Sequence, residues 1–274
     1  MTFMRPPSLI GTAYVDFSTL KTPPSWTFLE ILNKRTLRCY FRWMSALDVE
    51  GVVFDLDATL VNLGGFVNWR EAHKLAVQAY VEEGCPRSLV SRCSEKGLFS
   101  MLNLMRDELC ATLPQADAER VQGKVYDILE TFEARGVSQC QLMSGCFEAL
   151  VWLRENGVRM GVATSNSQSV AEQILEMNEL RHFFIAVVGR SPGLRMKPHP
   201  DQILVCFERL DVDSRRGVVV GDSVRDVEAA KSAGIYAIAV PAHFTKREAL
   251  ERAGADRIID GLWELPEVLS DIRF

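Results

Sequence analysis

From residue 51 onward, short apolar, β-branched runs alternate along the chain with amphipathic stretches. The runs "VVFD" (52–55), "VRMGVAT" (158–164), "FFIAVVG" (183–189), "GVVVGD" (217–222) and "YAIAV" (236–240) predict strands, with a weaker one at "DRIID" (256–260). Between them, "CFEALVWLRENG", "SVAEQILEMNEL", "PDQILVCFERL" and "VRDVEAAKSAG" have helical spacing and mostly close on Gly or Asn, as helix C-termini do. The predicted fold class is therefore α/β: an open, doubly wound, Rossmann-like parallel sheet covered by helices, with its ligand site at the carboxyl ends of the strands. Residues 65 to about 140 interrupt the alternation. They hold no strand pattern and several helical ones, among them "WREAHKLAVQAYVEEG" and "ADAERVQGKVYDILETFEARG". This predicts an all-helical cap subdomain, residues 65–140, inserted into a core made of residues 44–64 and 141–274.

Residues 1–43 differ from the rest. Arg5, Lys21, Lys34, Arg35, Arg38 and Arg42 stand against Asp16 and Glu30, a net charge of 6 − 2 = +4, while the remainder carries −9. The stretch "WTFLEILNKRTLRCYFRW" would suit an amphipathic helix on a membrane surface or a partner. Met44, just ahead of the first strand, is a start-like residue, and the leader reads better as a disordered tail or the product of an upstream start.

Composition narrows the class. With 47% hydrophobic and 24% charged residues, the 274-residue chain can bury a full core. Thirty-one basic and 36 acidic side chains give a net charge of −5, which is no polyelectrolyte signature for nucleic acid. The seven cysteines are odd in number, scattered and without a C-x-x-C pair, so they read as reduced thiols used as small core residues in a cytoplasmic protein. No apolar run approaches the roughly 18 residues of a membrane span, so no stable membrane insertion is expected. The pattern is silent on homo-oligomers.

Candidate chemistry gathers at strand ends. Asp55 and Asp57 close the first strand at i, i+2 spacing, where the bending chain lets two carboxylates converge. Thr164 ends the second strand, Lys197 stands in "RMKPHPD" with Pro198 and Pro200 after it fixing the approach to the next helix, and "GDSVRD" places Asp222 at a strand end with Asp226 in the first turn of the next helix. Acids, one Lys and one hydroxyl are what a Mg²⁺ ion and a phosphoryl group require: oxygen ligands for the hard cation, and Lys and hydroxyl to neutralise and orient phosphate oxygens. Alone, Asp222 or Asp226 could merely cap a helix, and Thr164 could bond its own backbone. The coincidence of all of them favours a site. His73, His182, His199 and His243 show no metal-ligand spacing, and no role follows for Asn62 and Arg190 beside the motifs.

In this order and spacing, "DLDAT", the Thr of "VATSN", the Lys of "KPHPD" and "GDSVRD" resemble the four motifs of the haloacid dehalogenase superfamily. The likeness is greatest to its phosphoglycolate-phosphatase-like branch, over residues 48 to about 265. The resemblance implies a Mg²⁺-dependent phosphatase acting on a small phosphorylated metabolite through an aspartyl-phosphate on Asp55. It implies Asp57 as the acid that protonates the leaving oxygen, and a metal held by Asp55, the backbone carbonyl of Asp57 and Asp222. Thr164 and Lys197 would hold the phosphoryl group, with Asp226 and its neighbour Ser223 behind them. Ala58 departs from the family's usual Gly. If that backbone needs φ > 0, Ala costs about 1–2 kcal/mol, with its N–H expected to stay available to a phosphate. A sugar-phosphate mutase would use the same motifs, whereas a non-catalytic regulatory protein would be expected to lose one. In the cap, Arg70, His73 and Lys74 are candidates for substrate contact only by closeness to the hinge.

Overall fold

The computed structural model describes residues 47–242 and 245–274, so the expectations for residues 1–43 and for His243 lie outside the described residues. The six predicted strands form one sheet: β1 (Gly51–Phe54), β2 (Arg159–Ser167), β3 (Ala186–Arg190), β4 (Gly217–Gly221), β5 (Tyr236–Ala239) and β6 (Arg257–Ile258). Every pairing is parallel and the order is β3-β2-β1-β4-β5-β6. Winding therefore reverses between β1 and β4, which makes their carboxyl ends the topological switch point where such sheets bind ligands.

Strand parity separates the two cores. Val52, Phe54, Val218 and Val220 pack on one face with α5 (Cys146–Glu155), α6 (Gln168–Met177) and α10 (Leu265–Asp271). Val53 and Val219 pack on the other with α7 (Asp201–Leu210), α8 (Val224–Ser232) and α9 (Arg247–Ala253). Both faces are buried, which explains why these strands read as continuous apolar runs. Two strands differ from their predicted spans. β3 begins three residues late because Phe183 and Phe184 turn into the core instead, Phe184 edge-on to Phe54 at 6.3 Å. β2 runs on to Ser167 through a register shift beyond Ala163, which lifts Thr164 out of the ladder.

Between β1 and α5 the chain forms four further α-helices and no strand: α1 (Trp69–Glu82), α2 (Arg87–Ser94), α3 (Leu98–Thr112) and α4 (Gln115–Gly136). They enclose a cluster of their own around Tyr80, Met101, Leu102, Met105 and Leu129, and Met196 of the sheet layer joins it. The two chain crossings into this insert run side by side. Met143 N–H donates to Leu60 O at 2.8 Å, and Asn62 pairs with Gln141 through its N–H (3.1 Å) and its side-chain Oδ1 (2.6 Å). Asn62 thus acquires a structural job that its sequence position did not disclose. Of the cysteines, Cys85, Cys93, Cys140, Cys146 and Cys206 are buried, but Cys110 is exposed, contrary to the expectation of core use, because it lies on the outer face of α3. No helix among the described residues is long and apolar enough to cross a membrane.

Candidate active site

β1 aligns Phe54 with Val162 of β2 and Val220 of β4, so the residues that follow these strands emerge together. Asp55 N–H continues the ladder to Val220 O at 2.8 Å, and the Asp55 side chain is left at the carboxyl edge, 8% exposed. Opposite it is Lys197. Its ammonium lies 2.5 Å from Asp55 Oδ1 and 2.5 Å from Asp226 Oδ1, and it donates to Ala163 O at 2.9 Å. A buried carboxylate is costly unless it is paired, and Lys197 supplies the pairing cation.

Asp226 serves two elements. Its Oδ2 accepts from Ser223 N–H (3.0 Å) and Ser223 Oγ (2.5 Å) in a capping box that starts α8, while Oδ1 faces Lys197. A Cβ on Gly221 would lie 2.4 Å from the Cβ of Asp226, so the glycine of "GDSVRD" is what lets the helix start approach the sheet. Asp57 is held apart from the lysine. Its Oδ1 accepts the Gly64 N–H at 2.7 Å, and a Cβ on Gly64 would stand 2.6 Å from Oδ2.

Ala58 has φ +64°, the left-handed region, so the departure from Gly does fall at a strained position. Contrary to the expectation above, its N–H is not free for a phosphate: it donates to Val61 O at 2.6 Å and closes the turn after Asp57. Thr164 Oγ1 is buried, donates to Asn166 Oδ1 (3.0 Å) and accepts Asn166 N–H (3.2 Å). The local backbone bond foreseen for it is formed, at the edge of the same cavity.

Electrostatics in this centre are set by four carboxylates around one ammonium. Burial raises Asp55 to about 6, reinforced by Asp226 and opposed by Lys197. Burial, with the Asp226 and Asp55 charges, raises Asp222 to about 8. Asp57 is raised by burial against the opposing Gly64 N–H bond. Burial works against charge on Lys197 and Asp226 as well, but for both the ion pair prevails: the ammonium is held above its usual value by Asp226 and Asp55, and Asp226 below its own by Lys197.

Carboxylate oxygens of Asp55, Asp222 and Asp226 lie within 4.8 Å of one another. An all-oxygen set of this kind suits a hard divalent cation, and the raised Asp222 and Asp55 mark a deficit of positive charge that such an ion would relieve. The centre opens into a cavity of about 550 Å³ whose far wall comes from the insert, through Phe66, Trp69 and Phe99. Arg70, His73 and Lys74 do not line it. His73 meets Ser94 (3.0 Å) and Lys74 pairs with Glu71 (3.4 Å) on the outer side of α1.

Several residues that organise the site were given no role by the sequence. Glu133 of α4 and Arg190 of β3 form a fully buried, two-pronged ion pair (2.8 and 3.0 Å). Glu133 also accepts from Asn166 Nδ2 and Ser167 N–H, and Arg190 donates to Ser165 O, so the insert grips the Thr164–Ser167 turn. Asn103 of α3 brackets the lysine's backbone, donating to Met196 O (3.0 Å) and accepting Met196 N–H (3.1 Å). Each is a polar residue on an otherwise apolar helix or strand face. That local oddity was readable, whereas its partner, dozens of residues away, was not.

Comparisons with known proteins agree with this architecture. The model of the family described as haloacid dehalogenase-like hydrolase matches residues 52–240. A Cupriavidus necator protein named phosphoglycolate phosphatase is 33% identical over 83% of this chain and 96% of its own. A Bacillus mycoides protein named pyrophosphatase PpaX is 24% identical over 83% and 100%. Among solved structures, a Thermotoga maritima protein described as a candidate β-phosphoglucomutase is 27% identical with a TM-score of 0.54, over 82% of this chain and 100% of that one. The match runs from β1 to the end of β5 and takes in Asp55, Thr164, Lys197, Asp222 and Asp226 with the helical insert between them, and on that ground the chain belongs to the haloacid dehalogenase-like hydrolase family.

Proposed function

We propose that this protein is a Mg²⁺-dependent phosphatase that hydrolyses a small phosphorylated metabolite through an aspartyl-phosphate intermediate. The observation that carries the reading is the difference in surroundings between the two carboxylates after β1. Asp55 touches Lys197 at 2.5 Å and so keeps its charge near neutral pH, while Asp57 is buried, held by Gly64 and apart from the lysine. Asp55 Oδ attacks phosphorus as the P–O bond to the leaving group breaks, and the proton on Asp57 passes to the leaving oxygen. Asp57, now a base, takes a proton from a water that attacks the phosphoryl-enzyme, releasing phosphate and regenerating Asp55. Lys197 neutralises a phosphoryl oxygen, and Thr164 turns its hydroxyl from Asn166 toward another. Asp55, Asp222 and the backbone carbonyl of Asp57 would hold the cation, which when bound offsets the charge of the phosphoryl oxygens. Asp226, capped by Ser223, keeps Lys197 in place.

Substitution separates the two roles. Asp55→Asn should give neither product nor covalent adduct. Asp57→Asn should lose about 10²–10⁴-fold in turnover yet accumulate a phosphate adduct from an activated donor, seen by intact-protein mass spectrometry after acid quench. An adduct on Asp55→Asn would overturn the reading. The likeness to the Thermotoga protein supports a second reading, a sugar-phosphate mutase. A mutase would return an isomeric sugar phosphate, whereas the proposed phosphatase releases one inorganic phosphate per substrate.

A further inference from the structure

The wall of the active-site cavity carries four acids, Asp55, Asp57, Asp222 and Asp226, and two cations, Lys197 and Arg225. The cations are not in the same state. Lys197 has committed its three ammonium hydrogens to Asp55, Asp226 and the Ala163 carbonyl. Arg225 makes no hydrogen bond or ion pair with any described residue. Its guanidinium instead lies over the ring of Phe99, 4.6 Å from the centroid, and Phe99 in turn packs on Trp69 at 5.4 Å. Two aromatic residues of the helical insert therefore hold a half-buried guanidinium at the cavity wall with its donors unspent.

The position matters because of the charge around it. A phosphoryl group at Asp55 meets Lys197 and the cation site. Any second anionic group on the same molecule would face the carboxylates unless a further positive charge received it. Arg225 is the remaining cation in that wall, and a planar fork of N–H donors matches a carboxylate or phosphate in two-pronged fashion. Beyond it, a second cleft of about 700 Å³ shares Ser223, Arg225 and Thr245 with the first and adds Lys246 and Arg252 against one acid, Glu248. Three basic side chains thus stand against one acidic one in the lining of that cleft. A neutral sugar hydroxyl tail would leave these donors with water alone.

We propose that Arg225, positioned by Phe99, is the specificity-determining residue of this enzyme, and that it selects substrates bearing a second anionic group, a carboxylate or a further phosphate, beside the phosphoryl group that is transferred. The inference rests on the phosphatase reading above and names its substrate class. Because Phe99 belongs to the insert and Arg225 to α8, insert and sheet layer together position the guanidinium.

The test compares substrates within one preparation. Values of kcat/KM are measured with Mg²⁺ for phosphoglycolate (second anion a carboxylate), pyrophosphate (second anion a phosphate) and ethyl phosphate (no second anion), with p-nitrophenyl phosphate as a general reporter. In Arg225→Gln, the ratio of kcat/KM for a two-anion substrate to that for ethyl phosphate should fall roughly tenfold or more, the loss of a charge-assisted hydrogen bond, and should fall through KM. Arg225→Lys should retain part of the ratio. Phe99→Leu, which keeps an apolar contact but removes the ring, should lower it to an intermediate value. Poor folding of a variant lowers both rates and leaves the ratio alone. Whichever of the two anionic substrates loses more identifies the second group. A ratio that Arg225→Gln leaves within about threefold, on an enzyme that hydrolyses p-nitrophenyl phosphate, overturns the assignment of Arg225 while the phosphatase reading stands. Wild-type protein inert toward all four compounds overturns the phosphatase reading and this inference with it.

Discussion

Ala58 is the residue at which this chain carries a visible local cost. Its φ of +64° is forced by the turn that swings Asp57 back under Gly64, and the turn is closed by the Ala58 N–H to Val61 O bond. An L-residue there costs about 1–2 kcal/mol, against which alanine recovers about 0.4–1 kcal/mol by restricting the unfolded chain. Ala58→Gly should therefore stabilise the protein by about 0.5–1 kcal/mol, a melting point higher by roughly 2 °C in a domain of this size. Turnover should change less than about tenfold, since the N–H is engaged in both and the carboxylates keep their bonds. A lower melting point, or a larger gain in rate, would show that the methyl group distorts the site.

At the scale of elements, the insert is tied to the sheet by one buried ion pair rather than by apolar packing alone. Glu133 on α4 and Arg190 at the end of β3 are both fully buried, and between them they hold Ser165, Asn166 and Ser167 beside the cavity. Removing one partner strands the other charge away from water, which costs about 3–5 kcal/mol. Glu133→Gln should thus lower stability by about that amount in urea unfolding, and Arg190→Met similarly. The pair Glu133→Leu with Arg190→Met should lose less than the sum of the two single changes, because neither charge is then left alone. Strict additivity would show that the two side chains act independently.

For the molecule as a whole, four carboxylates at one sheet edge link stability to pH and to metal. Asp55 and Asp222 are raised from 3.8 to about 6 and about 8, so each binds its proton more tightly folded than unfolded. Their contribution is fully present below the unfolded value and is lost as pH rises through the folded ones. Metal-free protein should therefore lose this increment between mildly acid and mildly alkaline pH. Mg²⁺ competes with those protons and supplies the absent charge, so the rise in melting temperature on adding it should be larger near pH 8.5 than near pH 5.5, at roughly matched ionic strength. A shift that is equal at both, or larger in acid, would mean these carboxylates do not hold the ion.

What the sequence alone determined is the part governed by local pattern. Apolar β-branched runs placed all six strands, and helical periodicity placed the helical stretch between β1 and β2 and four of the six covering helices, whereas α9 and α10 had no predicted counterpart; motif spacing pointed Asp55, Thr164, Lys197, Asp222 and Asp226 to one edge, because strand ends in a parallel sheet emerge side by side. Tertiary structure decided the rest. Whether the backbone at Ala58 is left-handed depends on where Val61 returns, and β3 begins late because Phe184 finds Phe54. Glu133, Asn103 and Arg225 are ordinary helix residues until the insert folds over the sheet and supplies Arg190, the Met196 backbone and the Phe99 ring. Those contacts join segments dozens of residues apart, and no periodicity of 2 or 3.6 records them. Long-range polar pairing is set by packing geometry, and only the assembled chain has that geometry.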